Sequence, residues 1–404
     1  MKRSISRLLS AAVATVGLAA GATAVASATP APAATHAVAR SAALAGCETA
    51  APGFMSCLDL IRTDVPGVAA NALAPDATPS GYGPSQLQSA YKLPSSTGGK
   101  GQTVAVVDAY NDPHAAADLA VYRKQYGLPA CTVASGCFSK VSQTGSTTSL
   151  PKTDAGWATE ESLDIDMVSA VCPLCHIVLV EATTASNTNL GVAVDEAAKL
   201  GANAISNSYG GSDVSDATWG KYYNHPGIAV TASAGDSGYG VSYPASSTYV
   251  TGVGGTSLRT SSNARGWSET AWNGTGSGCG AHNAKTAGQG TVTTGCTHKA
   301  VADVSAVADP NTGVAVYDST AYSGSVGWQV YGGTSVASPI IASVYALAGV
   351  SANDTPSYPY SHTGSLYDVT SGSNGSCTTA KWCTAGTGWD GPTGLGTPDG
   401  DSAF

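Results

Sequence analysis

From about Gly99 onward, short apolar runs alternate with segments of helical period, and that alternation most narrows what this chain can fold into. Thr103–Val107 is an apolar run ending at Asp108, and Ala115–Tyr126 places Ala116, Leu119, Ala120 and the stem of Arg123 on one face. Glu160–Val171 reads as a helix and His176–Val180 as a strand. In Leu190–Leu200, Leu190, Ala193, Val194 and Ala197 recur at i, i+3, i+4 and i+7, the period of an amphipathic helix. Ala204–Ser206 and Ile228–Ser233 read as strands, and Ser335–Leu347 as a strongly apolar helix. The pattern predicts an α/β fold with a mostly parallel central sheet covered on both faces. Such sheets bind ligands at the carboxyl ends of their strands. Asp108, Ser208, Asp236 and Ser335 all fall near strand ends or helix starts. The Gly/Ser/Thr-rich stretches 258–299 and 370–398 read as long loops.

Ahead of this body, Lys2, Arg3 and Arg7 precede the apolar stretch Leu8–Ala20, and small residues follow. That is the pattern of a secretory signal, residues 1–28, with cleavage after Ala28 or alternatively after Ala34. The apolar stretch is too short for a membrane anchor and lacks a stop-transfer pattern. A secreted, extracellular protein is expected. Residues 29–82 are rich in Ala, Pro and Ser and read as a short pro-segment or linker, with one apolar patch at Phe54–Ile61; the catalytic body is expected over 83–404. Ten cysteines in an exported chain predict disulfides. Their close spacing points to neighbour pairing: Cys47 with Cys57, Cys131 with Cys137, Cys172 with Cys175, Cys279 with Cys296, Cys377 with Cys383. Cys172 and Cys175 have the CxxC spacing of redox and zinc sites, but no second CxxC accompanies them. A net charge of -9 and the lack of a basic run exclude a phosphate-neutralising nucleic-acid binder. Nothing suggests an obligate apolar interface, so a monomer is expected.

Chemistry concentrates in three places. Gly332-Gly333-Thr334-Ser335 leads into the apolar helix, which sets the Ser335 hydroxyl where helix-terminal N–H groups favour developing negative charge. A plain serine N-cap is the alternative. A serine nucleophile needs a base, and none of the seven histidines stands in a His-Gly-Thr setting after the first strand. Glu160 and Asp164, one helical turn apart, can supply one: like charges that close favour a shared proton. A solvated acidic face is the competing reading. Gly235-Asp236-Ser237-Gly238 follows a strand, and a protonated Asp236 could donate to an oxyanion; a tight turn is its alternative.

In this order, Glu160-x-x-x-Asp164, Gly235-Asp236-x-Gly238 and Gly333-Thr334-Ser335-x-x-x-Pro339, the chain resembles the sedolisin family of serine-carboxyl peptidases over about residues 80–400. The resemblance implies a three-layer, subtilisin-like fold and a secreted serine-type endopeptidase acting on polypeptides at acidic pH. By it, Ser335 is the nucleophile, Glu160 the general base, Asp164 the residue tuning Glu160, and Asp236 part of the oxyanion hole. Ser206, Asn207, Ser208, Tyr209 and Gly210 would line the substrate cleft. Asp368, Val369, Gly386, Gly388 and Asp390 would hold one calcium ion through hard oxygen ligands. A carboxylate base suits acid operation. Family members carry a large folded pro-domain, whereas here the short segment 29–82 stands in its place. Three other readings remain: a catalytically silent peptide-binding or wall-associated protein on the same fold, a neutral subtilisin-type protease using Asp108 and a histidine, and a glycosidase using Glu160 and Asp164.

Overall fold

The computed structural model describes residues 43–65, 67, 79–349 and 355–404. A first unit, residues 1–40, lies outside the described residues, and with it the expected signal segment and both of its cleavage points. No helix among the described residues is long and apolar enough to cross a membrane.

In chain order the elements begin with β1 (Ala43–Ala45), β2 (Ser56–Cys57), β3 (Leu60–Arg62) and α1 (Pro84–Ala90). The alternating part runs β4 (Thr103–Ala109), α2 (Ala115–Gln125), β5 (Phe138–Ser142), α3 (Ala155–Val171), β6 (His176–Ala182), α4 (Asn187–Lys199), β7 (Ala204–Asn207), β8 (Tyr209–Gly210), α5 (Asp216–Trp219) and β9 (Ala229–Ser233). There follow β10 (Thr251–Thr260), β11 (Trp267–Ala271), β12 (Gly278–Cys279), β13 (Ala300–Val301), β14 (Val304–Val307), the hairpin β15 (Val314–Tyr322) and β16 (Ser325–Gly332), and α6 (Thr334–Ala348).

The main sheet has the order β11-β10-β9-β7-β4-β6-β5, with β14 also paired to β10. All of its pairings are parallel except β10 with β11. The pleat of β4 sorts the layers, because successive side chains face opposite sides. Val104 and Val106 pack with residues of α2, α3 and α6. Ala105 and Val107 pack with Leu190 and Val194 of α4. Helices therefore cover both faces, as the alternation predicts. A second sheet, β1-β3-β16-β15, is antiparallel throughout. It draws residues 43–62, expected to be pro-segment or linker, into pairing with the strand that leads to Ser335.

The sequence pattern misplaces several boundaries. α3 starts at Ala155, where the Asp154 carboxylate caps it by accepting the N–H groups of Gly156 and Trp157. The stretch 258–299, expected as a loop, contains β11 paired along β10. Pro339 stands inside α6, which begins at Thr334. Its missing N–H frees the Ser335 carbonyl, which accepts from Ser208 Oγ at 3.4 Å. All ten cysteines are bridged, each to its sequence neighbour, so Cys172 and Cys175 form a disulfide.

Candidate active site

Ser335 opens α6 directly after Gly333, whose φ of 95° is left-handed. A Cβ at Gly333 would stand 2.0 Å from the Leu58 carbonyl oxygen and 2.6 Å from Asp236 Oδ2. Only glycine therefore lets the chain turn here with those two oxygens so close. From this position Ser335 Oγ donates to Glu160 Oε2 at 2.8 Å, with the Ser208 carbonyl at 3.2 Å as a second acceptor.

Glu160 and Asp164 project from α3, and every residue of α3 from Gly156 to Val171 is buried. The solvated acidic face is thereby excluded. The Asp164 carboxyl lies against that of Glu160 and accepts from Ser208 Oγ at 2.8 Å. Burial, then the charges of Asp59, Asp164 and Asp108, hold Glu160 well above the usual carboxyl range; its bond from Ser335 works the other way. Burial and then Asp108 do the same to Asp164. A buried set of this kind keeps at least one proton, and a proton-carrying carboxyl pair beside a serine hydroxyl is competent for acid–base transfer.

Asp236 follows β9 and is half-buried, with its Oδ2 shut off from water, and burial pushes its carboxyl up to about 7. Its Oδ1 accepts from the Thr334 N–H at 2.8 Å and the Thr334 hydroxyl at 2.7 Å. Its Oδ2 has no partner among the described residues. The Ser335 N–H reaches the Leu58 carbonyl oxygen at 3.4 Å, and both that oxygen and Asp236 Oδ2 crowd Gly333. The Ser335 N–H and Asp236 have the make-up of an oxyanion hole.

Of the five residues expected to line the cleft, Ser208, Tyr209 and Gly210 meet the segment 56–58 through their backbones, β8 pairing there with β2, while the Tyr209 ring lies in the core. Ser206 and Asn207 turn inward instead: Ser206 Oγ meets Ser338 Oγ at 2.9 Å, and Asn207 Nδ2 donates to the Thr231 carbonyl. Asp108 is buried, neither of its oxygens has a hydrogen-bond partner among the described residues, and no histidine hydrogen bond there reaches it or Ser335. The sequence reading missed Asp59, which accepts from Thr159 Oγ1 at 2.7 Å and lies against Glu160. Cys57, Asp59 and Glu160 converge as a metal site would, but the Cys57 sulfur is spent in a disulfide.

The expected calcium residues also come together. Asp368 Oδ2 accepts the Gly388 N–H at 2.8 Å, and Asp390 Oδ2 the Gly386 N–H at 2.9 Å. Burial, with a contribution from the Asp368 charge, pushes Asp390 up to about 7. Two carboxylates near enough to act on each other offer hard oxygen ligands, and these residues fit a calcium ion.

Residues 143–363 match the model of the subtilase family. The chain belongs to the subtilase family. Kumamolisin of Bacillus sp. (strain MN-32) is 29% identical over 377 residues, 81% of this chain and 64% of that protein. Sedolisin of Pseudomonas sp. (strain 101) is 35% identical over 179 residues, 40% of this chain and 29% of that protein. The solved structure of Pseudomonas sedolisin, a serine-carboxyl proteinase complexed with two molecules of pseudo-iodotyrostatin, matches with a TM-score of 0.67 at 26% identity, over 80% of this chain and 96% of that one. Among subtilases, this chain is similar to sedolisin. It spans just under two thirds of the length of kumamolisin and less of sedolisin.

Proposed function

We propose that this subtilase is an exported serine-carboxyl endopeptidase that hydrolyses polypeptides at acidic pH. The observation that carries the reading is the 2.8 Å hydrogen bond from Ser335 Oγ to Glu160 Oε2, backed by the buried Asp164. Ser335 Oγ attacks the substrate carbonyl and Glu160 takes its proton. Asp164, lying against Glu160, steadies the charge on it by sharing a proton. The oxyanion is held by the Ser335 N–H and by Asp236, which donates from Oδ2 while it carries its proton. Glu160 then hands its proton to the leaving amine, and water completes the cycle by the same route. A donor that must keep its proton limits the reaction on the alkaline side, and Asp236 loses its proton as pH rises through about 7. Five disulfides agree with export. Asp368, Val369, Gly386, Gly388 and Asp390 would hold one calcium ion, which supplies charge balance that pins two loops.

Cleavage of a protein substrate by the full chain at pH 4 tests the reading. Ser335→Ala and Glu160→Gln are each expected to lower the rate at least ~10³-fold, and a chelator is expected to lower Tm. Cleavage peaking at neutral pH and surviving Glu160→Gln would move the assignment to another base. No cleavage at any pH would favour a silent binding protein. The glycosidase reading finds no support, since Glu160 and Asp164 stand on one helix face rather than across a cleft.

A further inference from the structure

Asparagine precedes glycine at two places in this chain, Asn273-Gly274 and Asn374-Gly375, and the fold brings both against the loop that carries Asp236. The stretch 272–276 braces that loop on either side of Asp236. The Gly238 N–H donates to the Gly274 carbonyl at 2.8 Å, and the Gly276 N–H donates to the Gly235 carbonyl at 2.7 Å. The Asn374 carbonyl adds a third hold, accepting the Tyr239 N–H at 2.9 Å.

The two pairs differ in what protects them. Asn374 is buried, and its Nδ2 donates to the Thr275 carbonyl at 2.6 Å and to Ser277 Oγ at 2.8 Å. The Gly375 N–H is engaged by Ser373 Oγ at 3.4 Å. Asn273 is exposed, in the turn that the Thr275 N–H closes onto the Trp272 carbonyl at 3.3 Å. Among the described residues the Asn273 side chain has no hydrogen-bond partner, and the Gly274 N–H donates to none. A Cβ at Gly274 would stand 2.2 Å from the Trp272 ring. Packing therefore demands glycine there, and glycine leaves its nitrogen unshielded. Asparagine is thermolabile, and an exposed one followed by a free glycine N–H is the arrangement in which its side chain is lost.

We propose that Asn273 is a spontaneous deamidation site, placed on the brace of the Asp236 loop, that shuts this chain down irreversibly away from acid. The Gly274 nitrogen bonds to Asn273 Cγ, and the side-chain nitrogen leaves as ammonia, taking the proton that the glycine N–H gives up. Water then opens the five-membered ring. Addition at Cγ breaks the new bond and gives aspartate. Addition at the backbone carbonyl gives isoaspartate, whose main chain runs through Cβ and Cγ and is one atom longer. The longer chain carries the Gly274 carbonyl away from the Gly238 N–H and slackens the loop that positions Asp236. The attacking nitrogen must lose its proton, so the reaction quickens as pH rises and is slow in acid. The loss of activity rests on the peptidase reading above, whereas the modification itself does not.

The test uses the full chain. Ser335→Ala, in which no self-digestion confuses the map, is incubated at pH 7 and at pH 4, and its peptides are weighed. At pH 7 the peptide holding Asn273 is expected to gain about 1 Da and to become a substrate for isoaspartyl methyltransferase. It is expected to convert at least ~10-fold faster than the peptide holding Asn374, which must first open locally. At pH 4 neither is expected to change. Wild type aged at pH 7 and assayed at pH 4 is expected to lose cleavage in step with the conversion. Asn273→Gln, whose six-membered ring closes far more slowly, is expected to outlast it, and Asn273→Ser serves if that variant does not fold. An intact Asn273 at pH 7, or conversion of both pairs at one rate, would overturn the site. Equal losses in wild type and Asn273→Gln while Asn273 converts would overturn its hold on the loop. Conversion at Asn273 with no proteolysis by any fresh variant at any pH would overturn the peptidase reading instead.

Discussion

Around α3, the buried Glu160, Glu161, Asp164 and Asp166 are joined by Asp59, Asp108 and Glu181, and a single ion pair among the described residues, Lys140 to Glu181 at 3.1 Å, serves that set. Next to β13 and β14 the same burial is handled in the opposite way. Lys299 and Asp303 are equally inaccessible but pair at 2.9 Å. Lys299 also donates to the Ser247 and Val250 carbonyls, and Asp303 accepts from Gln289, Tyr360 and the Gly252 N–H. One region keeps its carboxyls by holding protons, the other by holding a cation. Glu160 and Asp164, to which the proposed mechanism assigns the proton transfers, stand in the first.

The largest expected effect is on the pH dependence of stability. Burial raises Asp59, Glu181 and Asp236 to about 7 and Asp318 to about 8. A carboxyl whose pKa is raised by folding stabilises the native state fully below its unfolded value near 4. That contribution is lost as pH climbs towards the folded value. Each pH unit of displacement is worth about 1.4 kcal/mol per group. Denaturant titrations of the wild type are expected to lose more than about 5 kcal/mol between pH 4 and pH 8. A flat profile would erase the contrast between the two regions.

Next in size is Lys299→Met, which strands Asp303. The expected cost is about 3 kcal/mol or more at pH 7, read as a Tm drop that shrinks at pH 4, where a stranded carboxyl can take up a proton. Smaller, and the sharpest probe of the carboxyl-rich region, is Glu161→Gln. Burial and then the charge of Glu181 hold Glu161 well above its ordinary value. Replacing it with a neutral isostere is expected to gain about 1–2 kcal/mol at pH 7 and nothing at pH 4. Infrared spectra at pH 6, where free Asp and Glu are ionised, are expected to show protonated carboxyl that diminishes in this variant.

How much of this was legible follows from where the signal resides. β4, β6, β7 and β9 are apolar because both sheet faces are covered, so runs such as Val104–Val107 announce them. β10 hides behind Gly252, Gly254 and Gly255. A Cβ at Gly254 would meet the Pro392 carbonyl at 2.3 Å, and one at Gly255 the Ala308 side chain at 2.5 Å. Close packing there demands glycine, and glycine erases the strand pattern. Glu160, Asp164, Asp236 and Ser335 stood out because each sits in a compact local motif, and the fold gathers them around one point. Asp59 and Leu58 carried no such motif. Their place depends on pairing with β8 and β16, far away in sequence. Ser206 and Asn207 lie in β7, whose two faces are both covered, so their side chains are spent on Ser338 and the Thr231 carbonyl.

In the proposed mechanism everything turns on a proton that Asp236 keeps and can donate. The initial rate of substrate cleavage, normalised to the folded fraction at each pH, should be compared between wild type and Asp236→Asn. The wild-type rate is expected to fall as pH rises through about 7, whereas the asparagine amide, a donor at every pH, is expected to hold its rate across that range. Superimposable declines in the two proteins would rule out this role for Asp236.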